Sequence, residues 1–142
     1  MKKLLFLDFD GVLHPDGAAL FSQLGLLEKY LLQMPGAGIV ISSNWREEQS
    51  IEELKSYFPT PMRDQIIGVT PILADGYDRG GRQREIQAYL DSAGLDSKNC
   101  SWIALDDVQV FFEADWPHLI LTESNHGFTE FHGSSLLEWY LA

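Results

Sequence analysis

The stretch Leu4-Leu5-Phe6-Leu7-Asp8-Phe9-Asp10-Gly11-Val12 sets a continuously apolar run directly against two acids and a glycine. Four apolar residues without alternation are the pattern of a strand buried on both faces, as in a parallel sheet covered by helices. The pattern recurs twice. Gly38-Ile39-Val40-Ile41 runs into Ser42-Ser43-Asn44, and Trp102-Ile103-Ala104-Leu105 runs into Asp106-Asp107. Residues 66–73 and 118–122 are two further strand candidates.

Between these runs the period changes to that of helices. Leu20, Phe21, Leu24, Leu27, Leu31 and Met34 predict a helix over 18–34, ended by Pro35-Gly36. Asn44 followed by Glu47 reads as a capping box, starting a helix with Ile51, Leu54 and Phe58 inward and closed by Pro59 and Pro61. Ile86, Tyr89 and Leu90 mark a helix over 82–93 with Gly94 as its C-terminal cap, and Leu136, Leu137 and Tyr140 mark a closing helix over 134–141. Strands alternating with helices require crossover connections, so the expected fold class is α/β. It is a three-layer, doubly wound, Rossmann-like domain with a mostly parallel five-stranded sheet. With 142 residues and no linker or repeat, one domain over 1–142 is expected.

Charge and composition narrow the function classes. Twenty-one acids stand against ten bases, for a net charge of −11, and residues 99–142 hold 7 acids and no Lys or Arg. Stable nucleic-acid binding needs clustered cations, so it is not expected. Cys100 is the only cysteine, which excludes an internal disulfide and leaves a cysteine zinc site without ligands. Asp8 and Asp10 cut the N-terminal apolar run far short of a signal-peptide core or a membrane span. A soluble, cytoplasmic protein without membrane contact is expected.

In a parallel sheet, groups at the carboxyl ends of the strands share one edge. Asp8, Asp10, Asp106 and Asp107 would therefore converge, and ionised neighbours at close range demand a positive partner. An all-oxygen, partly wet site of this kind suits Mg²⁺.

Four motifs in order carry a resemblance. Asp8-Phe9-Asp10-Gly11-Val12 resembles the D-x-D-G-x signature of the haloacid dehalogenase-like superfamily. Ser42, followed by Ser43 and Asn44, is similar to its second motif, Arg82 in Arg82-Gln83-Arg84-Glu85-Ile86 stands where the superfamily has Lys or Arg, and Asp106-Asp107 resembles the acidic fourth motif. Ile41-Ser42-Ser43-Asn44-Trp45-Arg46, the Arg-x-x-Glu-Ile segment and Gly127-Phe128-Thr129 further resemble a capless subgroup related to the phosphatase domain of RNA-repair enzymes.

The resemblance implies a Mg²⁺-dependent phosphatase acting through an aspartyl-phosphate. Asp8 would be the nucleophile, and Asp10 the general acid and base, its proton affinity raised by acidic neighbours. Ser42 would bind a phosphoryl oxygen and Arg82 would offset charge. Asp8, Asp10 (through its backbone carbonyl), Asp106 and Asp107 would hold the metal, with Asp107 favoured over Asp106 for direct contact. Ser43 remains the alternative to Ser42, and Arg84 to Arg82. Ser43, Asn44, Arg46 and His14 are candidate substrate contacts. Trp45 is open to stacking on a base or sugar, although a buried aromatic is the commoner outcome.

The gaps between Val12 and Ile39 and between Asn44 and Arg82 are too short for a cap domain. The site is therefore expected to be open to a phosphorylated substrate, including a macromolecule with an exposed phosphate. Two rival readings are a receiver-like phosphoryl-accepting domain and a catalytically idle binding module. Asp8 and Asp10 within one turn favour the hydrolase over the receiver, whose acid pair and phosphoacceptor lie on different strands.

Overall fold

The apolar run that opens the chain becomes the centre of a sheet. In the computed structural model, which describes residues 1–142, β1 (Lys2–Leu7) lies between β2 (Ala37–Ile41) and β4 (Cys100–Asp106). β3 (Ile66–Val69) and β5 (Leu119–Leu121) flank them in the order β3-β2-β1-β4-β5. Every neighbouring pair is parallel.

Burial on both faces explains why β1 does not alternate. Leu5 and Leu7 pack with residues of α1 (Leu24–Leu31), α2 (Ile51–Lys55), α3 (Thr60–Arg63) and α5 (Glu130–Leu141). Leu4 and Phe6 pack on the opposite face with Ile86 and Leu90 of α4 (Gly81–Ser92). All four are fully buried, each contributing roughly 1.5–3 kcal/mol relative to exposure.

Several element bounds depart from the sequence expectations. The helix foreseen over 18–34 is only Leu24–Leu31, because Phe21 takes a left-handed φ of 60° and Leu20 faces solvent. Asn44–Glu47 is a single 3-10 turn, and the capping box lies one element later. There Glu53 N–H donates to Ser50 Oγ at 3.2 Å and Ser50 N–H to Glu53 Oε1 at 3.1 Å. Pro59 and Pro61 begin α3 rather than merely ending α2, since proline loses nothing where a helix's first N–H groups lack partners anyway. The third strand is shorter than expected, and the last helix starts earlier, capped by Thr129 and His132.

The topology supplies the crevice. From β1 the chain builds toward β2 and β3 on one side, then crosses by α4 to β4 on the other, so the winding reverses between β1 and β4. Ligands of open α/β sheets bind beyond the carboxyl ends at such a reversal. Leu7 is in register with Ile41 and Leu105, which brings Asp8, Ser42 and Asp106 out side by side. The connections 8–23 and 70–80 contain turns and no folded insertion, so no cap covers this edge. No helix is long and apolar enough to cross a membrane.

Candidate active site

Asp8 leaves β1 with its backbone N–H bonded to Leu105 O at 3.1 Å, and Ser42 leaves β2 with its N–H bonded to Leu7 O at 3.0 Å. These ladder bonds fix both side chains on one edge. Carboxylate oxygens of Asp8, Asp106 and Asp107 lie within 4.8 Å of one another. Arg82, in the first turn of α4, reaches into this group: its Nη1 is 2.8 Å from Asp106 Oδ2 and 3.4 Å from Asp8 Oδ1. Nη2 donates to Asn44 Oδ1 at 2.7 Å, and the guanidinium lies 4.8 Å from the Phe111 ring centroid. Arg84 points elsewhere, to a solvent-exposed pair with Asp75.

Three carboxylates against one guanidinium leave two negative charges in excess if all are ionised. Burial, and then the Asp106 carboxylate, push the Asp8 carboxyl well above its usual range, with Arg82 opposing. Burial also raises Asp106, again against Arg82. Burial works against the Arg82 charge too, but Asp106 and Asp8 outweigh it and hold the guanidinium protonated beyond its ordinary range. Such a group of carboxylates could hold a metal ion, whose charge would offset the repulsion among them.

The oxygens are not equally available. Asp106 accepts from Arg82 through Oδ2 and from Val108 N–H through Oδ1 at 3.0 Å. Asp107 accepts from Ser124 Oγ at 2.6 Å through Oδ2. Thr122 donates its hydroxyl to Gly11 O at 2.7 Å, tying the turn after β1 to the end of β5. Thr122 and Ser124 were not among the residues foreseen from sequence. Their only signal is position, two hydroxyl residues at and just beyond the end of the last strand candidate.

Of the four residues foreseen as substrate contacts, three are committed to the protein. Arg46 is buried, and its five N–H donors are all spent. Nε bonds Thr70 O, Nη1 bonds the carbonyls of Ser42 and Ser43, and Nη2 bonds Pro71 O and the Glu85 carboxylate at 2.9 Å. It is a brace under the strand ends, not a substrate contact. Ser43 is buried, and its Oγ accepts from Trp45 N–H at 3.2 Å to cap the 3-10 turn. His14 is buried with both ring nitrogens engaged, Nδ1 by Phe21 N–H at 3.2 Å and Nε2 by Asp10 Oδ1 at 2.8 Å. Asn44 is exposed and keeps its amide N–H₂ free. Ser42 Oγ, although buried, makes no hydrogen bond.

The Asp10 carboxylate does not join the metal-competent cluster. Its partners are donors, not the acidic neighbours foreseen from sequence: His14 on one oxygen, and Trp45 Nε1–H on the other at 3.0 Å. Trp45 therefore reaches the site by its N–H. Its ring packs in a partly buried position against Phe9, with centroids 5.2 Å apart.

No curated protein and no solved structure matches the chain. One family model does, over residues 4–132, a span holding every group described above. The all-parallel sheet without a cap and the acidic cluster at its winding reversal are what that match leads one to expect, and the chain belongs to the family of the HAD domain in Swiss Army Knife RNA repair proteins.

Proposed function

We propose that the protein is a Mg²⁺-dependent phosphomonoester hydrolase that works through an aspartyl-phosphate on Asp8. The observation that carries the reading is the buried Asp8 carboxylate, set between Arg82 and two further carboxylates and flanked by Ser42 with an unpartnered hydroxyl. The donor set fits a divalent cation: it is all oxygen, carries more negative charge than Arg82 offsets, and offers free carboxylate lone pairs. Asp8, Asp106 and Asp107 would hold the ion with the backbone carbonyl of Asp10. Asp107 has the freer oxygens, since both of those of Asp106 already accept from protein donors. When bound, Mg²⁺ supplies charge neutralisation at the phosphoryl oxygens.

In the first step an Asp8 oxygen attacks phosphorus and the bond to the leaving oxygen breaks. Asp10 delivers its proton to that oxygen. In the second, water attacks the phosphorus of the aspartyl-phosphate and gives a proton to Asp10, and the bond to Asp8 breaks, releasing phosphate. Ser42 Oγ donates to a phosphoryl oxygen, and Arg82 stabilises charge on Asp8 and on the group in transfer. An open edge admits a phosphate on a bulky partner. Given the family, the leading substrate class is the terminal phosphate of an RNA, met transiently because a chain of charge −11 binds polyanions weakly.

The test is phosphate release from a panel of phosphomonoesters, including 3′- and 5′-phosphorylated oligonucleotides, with and without Mg²⁺. Release that needs Mg²⁺ and vanishes in Asp8→Asn supports the reading. A long-lived phospho-Asp8 without turnover would make the protein a phosphoryl-accepting domain instead, and no transfer to Asp8 at all would make it a binding module.

A further inference from the structure

We infer that His14 and Trp45 are positioning residues that hold the Asp10 carboxylate in one orientation for proton transfer. The inference rests on the phosphatase reading and adds to it two residues outside the four motifs.

The donor assignments follow from chemistry. A backbone N–H can only donate, so the contact from Phe21 N–H at 3.2 Å makes Nδ1 of His14 an acceptor. The imidazole proton then resides on Nε2, which donates to Asp10 Oδ1 at 2.8 Å. The indole N–H of Trp45 is also donor only and takes Oδ2 at 3.0 Å. Each Asp10 oxygen thus meets one N–H of fixed sense. Each keeps a second lone pair for the proton it moves.

The donors are anchored where the acceptor is not. The His14 side chain is 4% exposed, while that of Asp10 is 58% exposed. His14 packs edge-on against Phe21, and Trp45 against Phe9, Phe21 and Tyr57, with the centroids of these four pairs 5.2–5.6 Å apart. Phe21 is one of only two non-glycine residues with positive φ, a conformation that side chains rarely adopt. That strained turn aims the Phe21 N–H at His14 and its ring at Trp45. The loop also closes on itself through Gly11 N–H to His14 O at 2.9 Å.

Stability alone does not account for this arrangement. A solvent-exposed carboxylate gains little from a hydrogen-bonded partner, because water serves it nearly as well. What the grip does remove is rotation of an exposed side chain with two free torsions. For a group that must present a proton to a leaving oxygen and later take one from water, orientation governs the rate.

The test compares leaving groups in the first turnover. Nitrophenolate departs with little need of a proton, whereas the alkoxide of glycerol phosphate must be protonated. Mg²⁺-loaded wild type, Trp45→Phe, His14→Leu, His14→Gln and Asp10→Asn are mixed with nitrophenyl phosphate and with glycerol phosphate, and phosphoenzyme formation is followed by rapid quench. Trp45→Phe and His14→Leu are expected to lose about tenfold more rate on glycerol phosphate than on nitrophenyl phosphate, part of the full ~10²–10⁴ of general acid–base catalysis. His14→Gln, which places an amide N–H near the position of Nε2, should recover most of that difference. Equal losses on both substrates, or none, would overturn the inference, and Trp45→Phe decides it alone if His14→Leu does not fold. If Asp10→Asn shows no leaving-group dependence, the acid–base reading of Asp10 fails; if it does while Trp45→Phe does not, only the positioning role fails.

Discussion

A β-carbon placed on Gly11 would lie 2.0 Å from Oδ2 of Asp107. The turn after β1 and the acid pair at the end of β4 therefore meet at a distance that only glycine allows. Gly11 also has φ +75°, so a side chain there would be strained even in open space. The glycine of the first motif lets Asp107 approach Asp8.

Gly11→Ala should lose both stability and cation binding. Positive φ alone costs about 1–2 kcal/mol, and displacing Asp107 removes a carboxylate from the cluster. The control is Gly94→Ala, with φ +69° and no atom within 4 Å of the point a β-carbon would occupy, which should show the conformational cost alone. Thermal melts with chelator and with Mg²⁺ separate the two: the Mg²⁺-induced shift should survive in Gly94→Ala and be lost in Gly11→Ala.

The contrast between these glycines also marks what the sequence makes legible. The order of strands and helices, the parallel sheet and the convergence of Asp8, Ser42 and Asp106-Asp107 follow from apolar runs ending in polar residues, whereas Arg82 is marked only by the family resemblance. The local destination of each polar side chain does not. Arg46 reads like a surface arginine beside a motif, yet it is buried because four carbonyls and Glu85, from three separate segments, converge on it. Leu20 and Phe21 continue the stripe of Leu24 and Leu27, but periodicity cannot tell a helix turn from a loop whose aromatic packs onto Phe9 and Trp45.

Asp8→Asn should stabilise the metal-free protein at neutral pH. Burial, and then Asp106, hold the Asp8 carboxyl well above its ordinary value of 3.8. Between that value and the raised one, the folded chain keeps a proton that the unfolded chain has lost, so stability falls as pH rises through this window. Below the window both states are protonated and nothing is lost. An asparagine carries no charge at any pH, so in chelator the variant should melt a few degrees above wild type at neutral pH and show a shallower decline as pH rises through the window. A variant that melts lower would contradict the burial argument.

Arg46→Met should cost about 3–5 kcal/mol in urea unfolding, because it strands the buried Glu85 carboxylate and several carbonyls. Arg46→Lys should recover little, since an ammonium brings three donors where five are used. Arg46→Met combined with Glu85→Leu should be less destabilised than Arg46→Met alone, as removing both charges leaves none unpaired. An Arg46→Met protein with the wild-type urea midpoint would show that the brace is dispensable.

Ser42 and Thr122 offer the sharpest separation of function from stability. Both are buried hydroxyl residues at strand ends, but Thr122 donates to Gly11 O at 2.7 Å while Ser42 Oγ has no partner. Deleting a satisfied hydroxyl costs about 1 kcal/mol, whereas deleting an unsatisfied one removes a desolvation penalty. Ser42→Ala should therefore match or exceed wild type in melting temperature while kcat/KM falls about 10–100-fold for want of a donor to the phosphoryl group. Thr122→Val should melt lower, through loss of its bond to the Asp8–Gly11 turn. A Ser42→Ala protein that is less stable and fully active would mean that the hydroxyl serves the fold, and its unpartnered state would no longer point to a phosphate.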